Sequence, residues 1–543
     1  MLDNDTRDWW RHAAIYQVYP RSFADNDGDG VGDLAGIRAR LGYLRDLGVN
    51  AIWFSPWYPS PMADAGYDVA DYRDIDPSFG TLAEAEQLIT EAHALGLRMI
   101  IDIVPNHCSI EHAWFRQALA DRPGSAAREL FWFRPGGGES GELPPNDWQS
   151  IFGGPAWTRV ADGEWYLHMF ASGQPDFNWD NPVVRDEFED IVRFWFDRGV
   201  DGLRIDCAAM CTKDPDLADF DPAATPDPHP YSDREEVHEI YQRWRAIADS
   251  YERPRVLIGE VMVADNYRLA RYLSPGRLHS AFNFDFLGCP WDAKALRRCI
   301  DDTLASHAPV DAASTWVLSN HDVTRHVTRY GRADTGFEHA LRQARHQLPT
   351  DLDLGTRRAR AAAMLTLALP GAVYVYQGEE LGLPEVEDVP DASRQDPFFF
   401  RTAGADPGRD GCRVPLPWSA SGANFGFSPD DAAPAWLPQP AGWADYTAER
   451  QEADPASMLT LYRTALALRA AEPGLGDGPM TWQDCADGVL AFTRPGGFTC
   501  VLNLSADAVE LPEAGEILLA SGPLQGGRLP SDTCAWVRSA SKE

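Results

Sequence analysis

Gly202-Leu203-Arg204-Ile205-Asp206 is a short apolar run that carries two charges two positions apart. In a strand successive side chains alternate faces, so Arg204 and Asp206 share one face and Leu203 and Ile205 the other. That pattern describes the end of a buried strand. Two readings of the pair stand side by side here. It is a structural ion pair, or it is an arginine keeping a nucleophilic carboxylate ionised.

Similar strand-like runs recur along the chain at Ala14–Tyr19, Asn50–Ser55, Arg98–Val104, Val256–Val261, His279–Phe286, Thr315–Asn320 and Ala372–Tyr376. Amphipathic segments lie between them, among them Leu34–Leu47, Leu82–Leu95, Val184–Arg198, Asp233–Tyr251 and Arg357–Leu369. With residues 202–206 the runs number eight. Strands joined by helical crossovers predict a parallel sheet, and eight of them an α/β fold closed into a (β/α)8 TIM barrel. Two long interruptions stand out. Residues 108–174 follow the third strand, are rich in Gly, Pro and Trp, and are expected to form a small irregular subdomain. A second insertion, about 383–453, follows the eighth strand; loops of such length are functional or lid-like. A helix from about Ala456 to Ala471 completes the barrel, so the catalytic body is expected over 1–107 and 175–472. Alternating runs from 473 to 543 predict a C-terminal all-β domain, a β-sandwich.

The bulk properties exclude several function classes. The chain has 543 residues and a formal net charge of −34. A surface so acidic is unsuited to nucleic acid or anionic membranes. No apolar stretch reaches the ~18 residues of a membrane span. Met1-Leu2-Asp3-Asn4-Asp5 is not the basic start of a secretory signal. Nine cysteines without CxxC spacing suit reduced thiols in the cytoplasm and suggest no zinc site. A monomer is the default expectation for assembly.

The strand ends carry the chemistry. The third strand runs into Asp102-Ile103-Val104-Pro105-Asn106-His107, the fifth ends Gly259-Glu260 and the seventh Asn320-His321-Asp322. In a (β/α)8 barrel these ends meet at one mouth. Three carboxylates, two histidines and one arginine would then share a pocket, a set suited to glycoside hydrolysis. Arg204 should keep Asp206 ionised for attack on an anomeric carbon. Burial and neighbouring negative charge should keep Glu260 protonated as general acid. Asp322 is left to bind sugar hydroxyls. The acidic loop Asp25-Asn26-Asp27-Gly28-Asp29-Gly30-Val31-Gly32-Asp33 spaces oxygens as Ca2+ or Mg2+ requires; the alternative is a metal-free acidic turn. No organic cofactor is expected.

The ordered motifs Asp102–His107, Gly202–Asp206, Gly259-Glu260-Val261 and Asn320-His321-Asp322 resemble those of the α-amylase family of retaining glycoside hydrolases. Within it the chain is similar to the α-glucosidase and oligo-1,6-glucosidase branch, and Gln174–Trp179 resembles the segment that closes the inserted subdomain there. The resemblance implies Asp206 as nucleophile, Glu260 as acid/base and Asp322 as third carboxylate. It implies that His107 and His321 hydrogen-bond the innermost sugar, that Tyr67 stacks under it, that Arg204 supports the nucleophile and that Phe170 lines the rim. Asp64 and Arg413 resemble the pair closing the pocket bottom, which implies exo-action on small α-glucosides. Asp25, Asp27, Asp29, Asp33 and the Val31 carbonyl match the family's structural cation ligands. After the nucleophile, Val goes with α-1,6 and smaller residues with α-1,4 linkages in this branch; Cys207 departs from both and by size leans to α-1,4. Transglucosylation is a second outcome of the same chemistry. Rival readings are a trehalose or isomaltulose synthase on this scaffold and, more remotely, a non-catalytic transporter heavy chain, which the retained carboxylates and missing membrane span oppose.

Overall fold

The computed structural model describes residues 8–221, 228–511 and 515–539. All eight barrel strands form: Ala14–Val18, Ala51–Phe54, Arg98–Ile103, Gly202–Ile205, Val256–Gly259, Ser280–Ala281, Thr315–Val317 and Ala372–Tyr376. They are parallel, and the hydrogen-bonded order runs seven, eight, one, two, three, four, five, six. Thr315 on the seventh strand links the two ends by donating its hydroxyl to the Ala281 carbonyl at 2.5 Å. Nearly every strand residue is buried, since helices cover the outside and side chains fill the inside.

The helices start where their sequences direct. Leu82–Ala94 begins on a capping box made by Thr81 and Glu84. Pro182–Asp197 begins at Asn181, with Pro182 in its first turn. It buries Phe188, Ile191, Val192, Trp195 and Phe196 against the barrel, each burial worth about 1.5–3 kcal/mol. The expected helix Leu34–Leu47 is two helices, Leu34–Ala39 and Leu41–Leu47, broken at Arg40, where ψ is 4°. There Arg40 sets its guanidinium 4.5 Å from the Trp418 ring.

Three expectations need correction. The run 279–286 is not one strand: it stops at Ala281, because Asn283 accepts the Phe286 N–H and caps the helix Phe284–Gly288. The insertion after the third strand is more regular than its composition suggested. It holds the helix Ala113–Ala120 and an antiparallel sheet in the order Phe133–Pro135, Glu164–Leu167, Trp157–Arg159. The C-terminal domain is not a sandwich among the described residues but one five-stranded antiparallel sheet. The barrel supplies its opposing layer: Trp536 donates to the Met364 carbonyl on helix Leu352–Ala368, and Phe492, Cys500 and Leu502 join the main core. Loop residues Val509, Leu511 and Leu524 cover the other face. No helix among the described residues is long and apolar enough to cross a membrane.

Candidate active site

Arg204 is 2% exposed and stands at the centre of one wall of the barrel mouth. Its Nη1 donates to Asp102 Oδ1 and Asp206 Oδ1, both at 2.8 Å, and its Nη2 lies 3.0 Å from Glu260 Oε2. One guanidinium thus serves three carboxyl groups. Asp206 and Glu260 are neighbours in this group. A carboxylate oxygen from each, together with Cys207 Sγ, falls within 4.8 Å. Burial, then the Glu260 charge, push the Asp206 carboxyl well above the usual range, against the pull of Arg204. Burial likewise raises Asp102 to about 7. The sequence reading gave Arg204 to Asp206 alone and expected Asp206 to stay ionised. The structure corrects this: Arg204 is divided among three carboxyls and does not outweigh the burial of Asp206. Cys207 adopts φ 44°, sparsely populated for a non-glycine residue, and donates its backbone N–H to Glu260 Oε2 at 2.9 Å.

The opposite wall has a different balance. Asp322 Oδ1 accepts from Arg409 Nη1 and Arg413 Nη2, both at 3.0 Å, and its Oδ2 lies 3.2 Å from His321 Nε2. Burial opposes its charge, but His321, Arg409 and Arg413 outweigh that and hold Asp322 far below the usual carboxylate range. The expected partnership of Asp64 with Arg413 is not formed. Asp64 Oδ1 accepts from Arg409 Nη2 at 2.7 Å instead, while Arg413 turns its Nε to the His321 carbonyl at 2.8 Å. The turn Asp410–Cys412 separates the two arginines, and only Arg409 reaches across to Asp64. Burial raises Asp64 to about 6, against Arg409. Asp396 anchors the cluster by accepting from Arg409 Nε at 2.5 Å and lying 3.6 Å from Arg413 Nη1.

Between the walls lies a polar floor. The Tyr67 hydroxyl meets His321 Nε2 at 2.7 Å and Asp102 Oδ2 at 3.1 Å. Gln17, on the first strand, contacts His321 Nδ1 at 2.7 Å. His107 Nε2 lies 3.1 Å from the Tyr67 carbonyl and 3.2 Å from Gln174 Nε2, which also donates to Asp64 Oδ2. Burial lowers His107 to about 4 and His321 to about 3, so both rings are neutral at pH 7. Phe170 sits 4.8 Å from the His107 ring and meets Phe152, which in turn meets Phe398 of the second insertion. All ten sequence-proposed residues, Asp64, Tyr67, His107, Phe170, Arg204, Asp206, Glu260, His321, Asp322 and Arg413, therefore belong to one connected cluster.

Sequence reasoning missed the parts of Asp102, Arg409, Asp396 and Gln17. Asp102 lay inside a quoted motif, and Arg409 four residues before the arginine chosen. Gln17 and Asp396 carried no local signal. Lys213 was also unassigned. It is buried, pairs with Asp176 at 2.9 Å and donates to Asn106 Oδ1 at 2.7 Å, tying together the two ends at which the inserted subdomain leaves and rejoins the barrel.

Away from the mouth, Asp25, Asp27 and Asp29 bring carboxylate oxygens within 4.8 Å of one another. Gly28 and Gly30, at φ 86° and 92°, make the turn that gathers them. Asp33 stands outside that trio: Oδ1 caps the helix Leu34–Ala39 and Oδ2 accepts from Asn26 and Asp27. The donor set, three hard carboxylates at close range, fits a divalent cation that prefers oxygen.

Comparison with known proteins agrees with this geometry. The family model described as alpha amylase, catalytic domain, matches residues 17–478. A probable alpha-glucosidase of Rhizobium meliloti is 39% identical, covering 94% of this chain and 92% of the relative. An oligo-1,6-glucosidase of Parageobacillus thermoglucosidasius is 34% identical, covering 85% and 84%. A solved alpha-glucosyl transfer enzyme superposes with TM-score 0.84 at 37% identity, over 98% of this chain and 99% of that one. The eight-stranded barrel, the carboxylate-lined mouth and these matches together place the chain in the α-amylase family of glycoside hydrolases.

Proposed function

We propose that the chain is an exo-acting, retaining α-glucosidase that releases glucose from the non-reducing ends of maltose and short α-glucosides. The observation that carries this reading is the Asp206–Glu260 pair, with oxygens within 4.8 Å. Carboxyls about 5–5.5 Å apart favour a double displacement, whereas inversion needs room for water between them. Glu260 Oε2 is occupied by Arg204 Nη2 and the Cys207 N–H, which leaves Oε1 to carry the proton.

The chemistry then runs in two steps. An Asp206 oxygen attacks the anomeric carbon, the glycosidic C–O bond breaks, and Glu260 passes its proton to the departing oxygen. Glu260, now a carboxylate, takes a proton from water. The water oxygen attacks the same carbon and releases Asp206. Asp322, held ionised, and the neutral His107 and His321 bind sugar hydroxyls. Tyr67 forms the face beneath the ring, and Phe170 lines the rim. The Asp64–Arg409 ion pair closes the inner end, which supports removal of one glucose at a time. The size of Cys207 supports a lean to α-1,4 linkages.

The acidic loop is proposed to bind a structural Ca2+ or Mg2+ through Asp25, Asp27 and Asp29, with Asp33 and the Val31 carbonyl completing the set. Bound there, the cation would brace the first strand's exit and take no part in the chemistry.

A product assay across maltose, isomaltose, sucrose, trehalose and maltotriose tests the reading. Free glucose as main product from maltose is expected. A rearranged disaccharide as main product overturns it.

A further inference from the structure

Behind the seventh strand, four arginines line one small cavity: Arg329, Arg332, Arg342 and Arg345, with Phe337 against them. Three of the four have a carboxylate partner. Arg332 pairs with Glu387 at 2.6 Å, Arg342 with Asp406 at 2.8 Å and Arg345 with Asp334 at 2.5 Å. Arg329, on the short helix His326–Tyr330, is 2% exposed and has no carboxylate within ion-pair distance among the described residues. It donates from Nε to the Thr324 carbonyl at 3.0 Å and from Nη2 to the Leu318 carbonyl at 2.7 Å, but its Nη1 is buried without an acceptor. Arg342 leaves its own Nη1 buried and unpartnered as well. The cavity has room for one atom-sized occupant.

Burial lowers the Arg329 guanidinium from its ordinary value, and the Arg345 charge adds to this. Glu379 would offset it, but burial raises that carboxyl to about 8, so it is largely neutral at pH 7. A guanidinium does not give up its proton in a protein. A buried charge without a counter-charge is costly, and the unpartnered N–H groups add to that cost. A water would satisfy the N–H groups and leave the charge. Arg494 shows how a buried arginine without a carboxylate is otherwise accommodated: all three of its nitrogens donate to backbone carbonyls. We propose that this cavity binds one monovalent, atom-sized anion, a halide such as chloride, between Arg329 and Arg342. Phosphate and carboxylate groups exceed the space. The chain's net charge of −34 repels anions in general, so the binding belongs to this cavity and not to the surface. The anion joins helix His326–Tyr330 to helix Arg342–Arg345 and takes no part in the chemistry.

The test uses the whole chain, dialysed into sodium gluconate. Chloride or bromide then replaces gluconate at constant sodium, and Tm is followed. A saturable rise of about 2–4 °C is expected. Arg329→Met keeps most of the side-chain stem and removes the charge, so its Tm should show no saturable rise. Crystals of the parent chain are grown at the bromide concentration that saturates the response, and diffraction is recorded at the bromine absorption edge. An anomalous peak between Arg329 and Arg342 is expected. No saturable rise in the parent chain, a rise that Arg329→Met retains, or no bromide peak at this place overturns the inference. Where the variant does not fold, the parent crystal decides: a peak there supports the site and its absence overturns it.

Discussion

The two walls of the pocket hold the same number of carboxyl groups but not the same number of arginines. Asp102, Asp206 and Glu260 share Arg204 alone. Asp64, Asp322 and Asp396 share Arg409 and Arg413. Where one cation serves this group, burial wins at two of its members: Asp206 is pushed well up and Asp102 to about 7. Where two cations serve three, charge wins, and Asp322 and Asp396 are held low despite burial. Asp64, which touches only one of the two arginines, rises to about 6 and marks the boundary. The count of guanidiniums thus separates a wall whose carboxyls burial raises from a wall whose carboxylates stay charged, which matches the roles proposed for them.

The largest expected effect breaks the first wall. Asp206→Ala or Glu260→Gln should lower kcat at least ~10³-fold with maltose, measured on variants whose circular dichroism matches the parent. Near-parental rates in either would remove the proposed roles. Next, Arg409→Met attacks the second wall. Losing one partner of a buried pair costs about 3–5 kcal/mol, so kcat/KM should fall by about 10²-fold or more, while Arg409→Lys recovers part of it. A loss confined to thermal stability would mean that Arg409 serves the fold and not the pocket.

A smaller effect sharpens the contrast. Asp102→Asn keeps an acceptor for Arg204 but removes one negative charge from the proton-holding wall. Ionised Asp102 raises the Asp206 carboxyl. Without it Asp206 gives up its proton at lower pH, and the acidic limb of kcat/KM should move down by up to about one pH unit. A limb that stays put, or rises, contradicts the influence of Asp102 on Asp206. The smallest effect lies outside both walls. Chelator treatment or Asp27→Ala should lower Tm by about 2–4 °C and leave kcat/KM at 25 °C unchanged. A lost activity at unchanged Tm would tie the acidic loop to the pocket.

Much of the barrel was legible because its strands are apolar runs with polar ends, and polar ends converge in this topology. The short sixth strand was misjudged because Asn283 reads as easily within a strand as at a helix cap. The pocket residues were legible where they sit on strand ends. The partner of Asp64 was not, since Arg409 and Arg413 flank one short turn and only packing decides which reaches across. The division of Arg204 was also hidden. A strand pattern shows that Arg204 and Asp206 share a face, but Asp102 and Glu260 enter that face from neighbouring strands.

The central claim is that Asp206 carries the sugar between the two steps. The direct measurement is peptide mapping by mass spectrometry after a brief incubation with 5-fluoro-α-glucosyl fluoride, whose glucosyl ester turns over slowly. One fluoroglucosyl adduct on the peptide containing Asp206 is expected, together with release of the α-anomer of glucose from maltose. An adduct on Glu260 or Asp322, or β-glucose as first product, would contradict it.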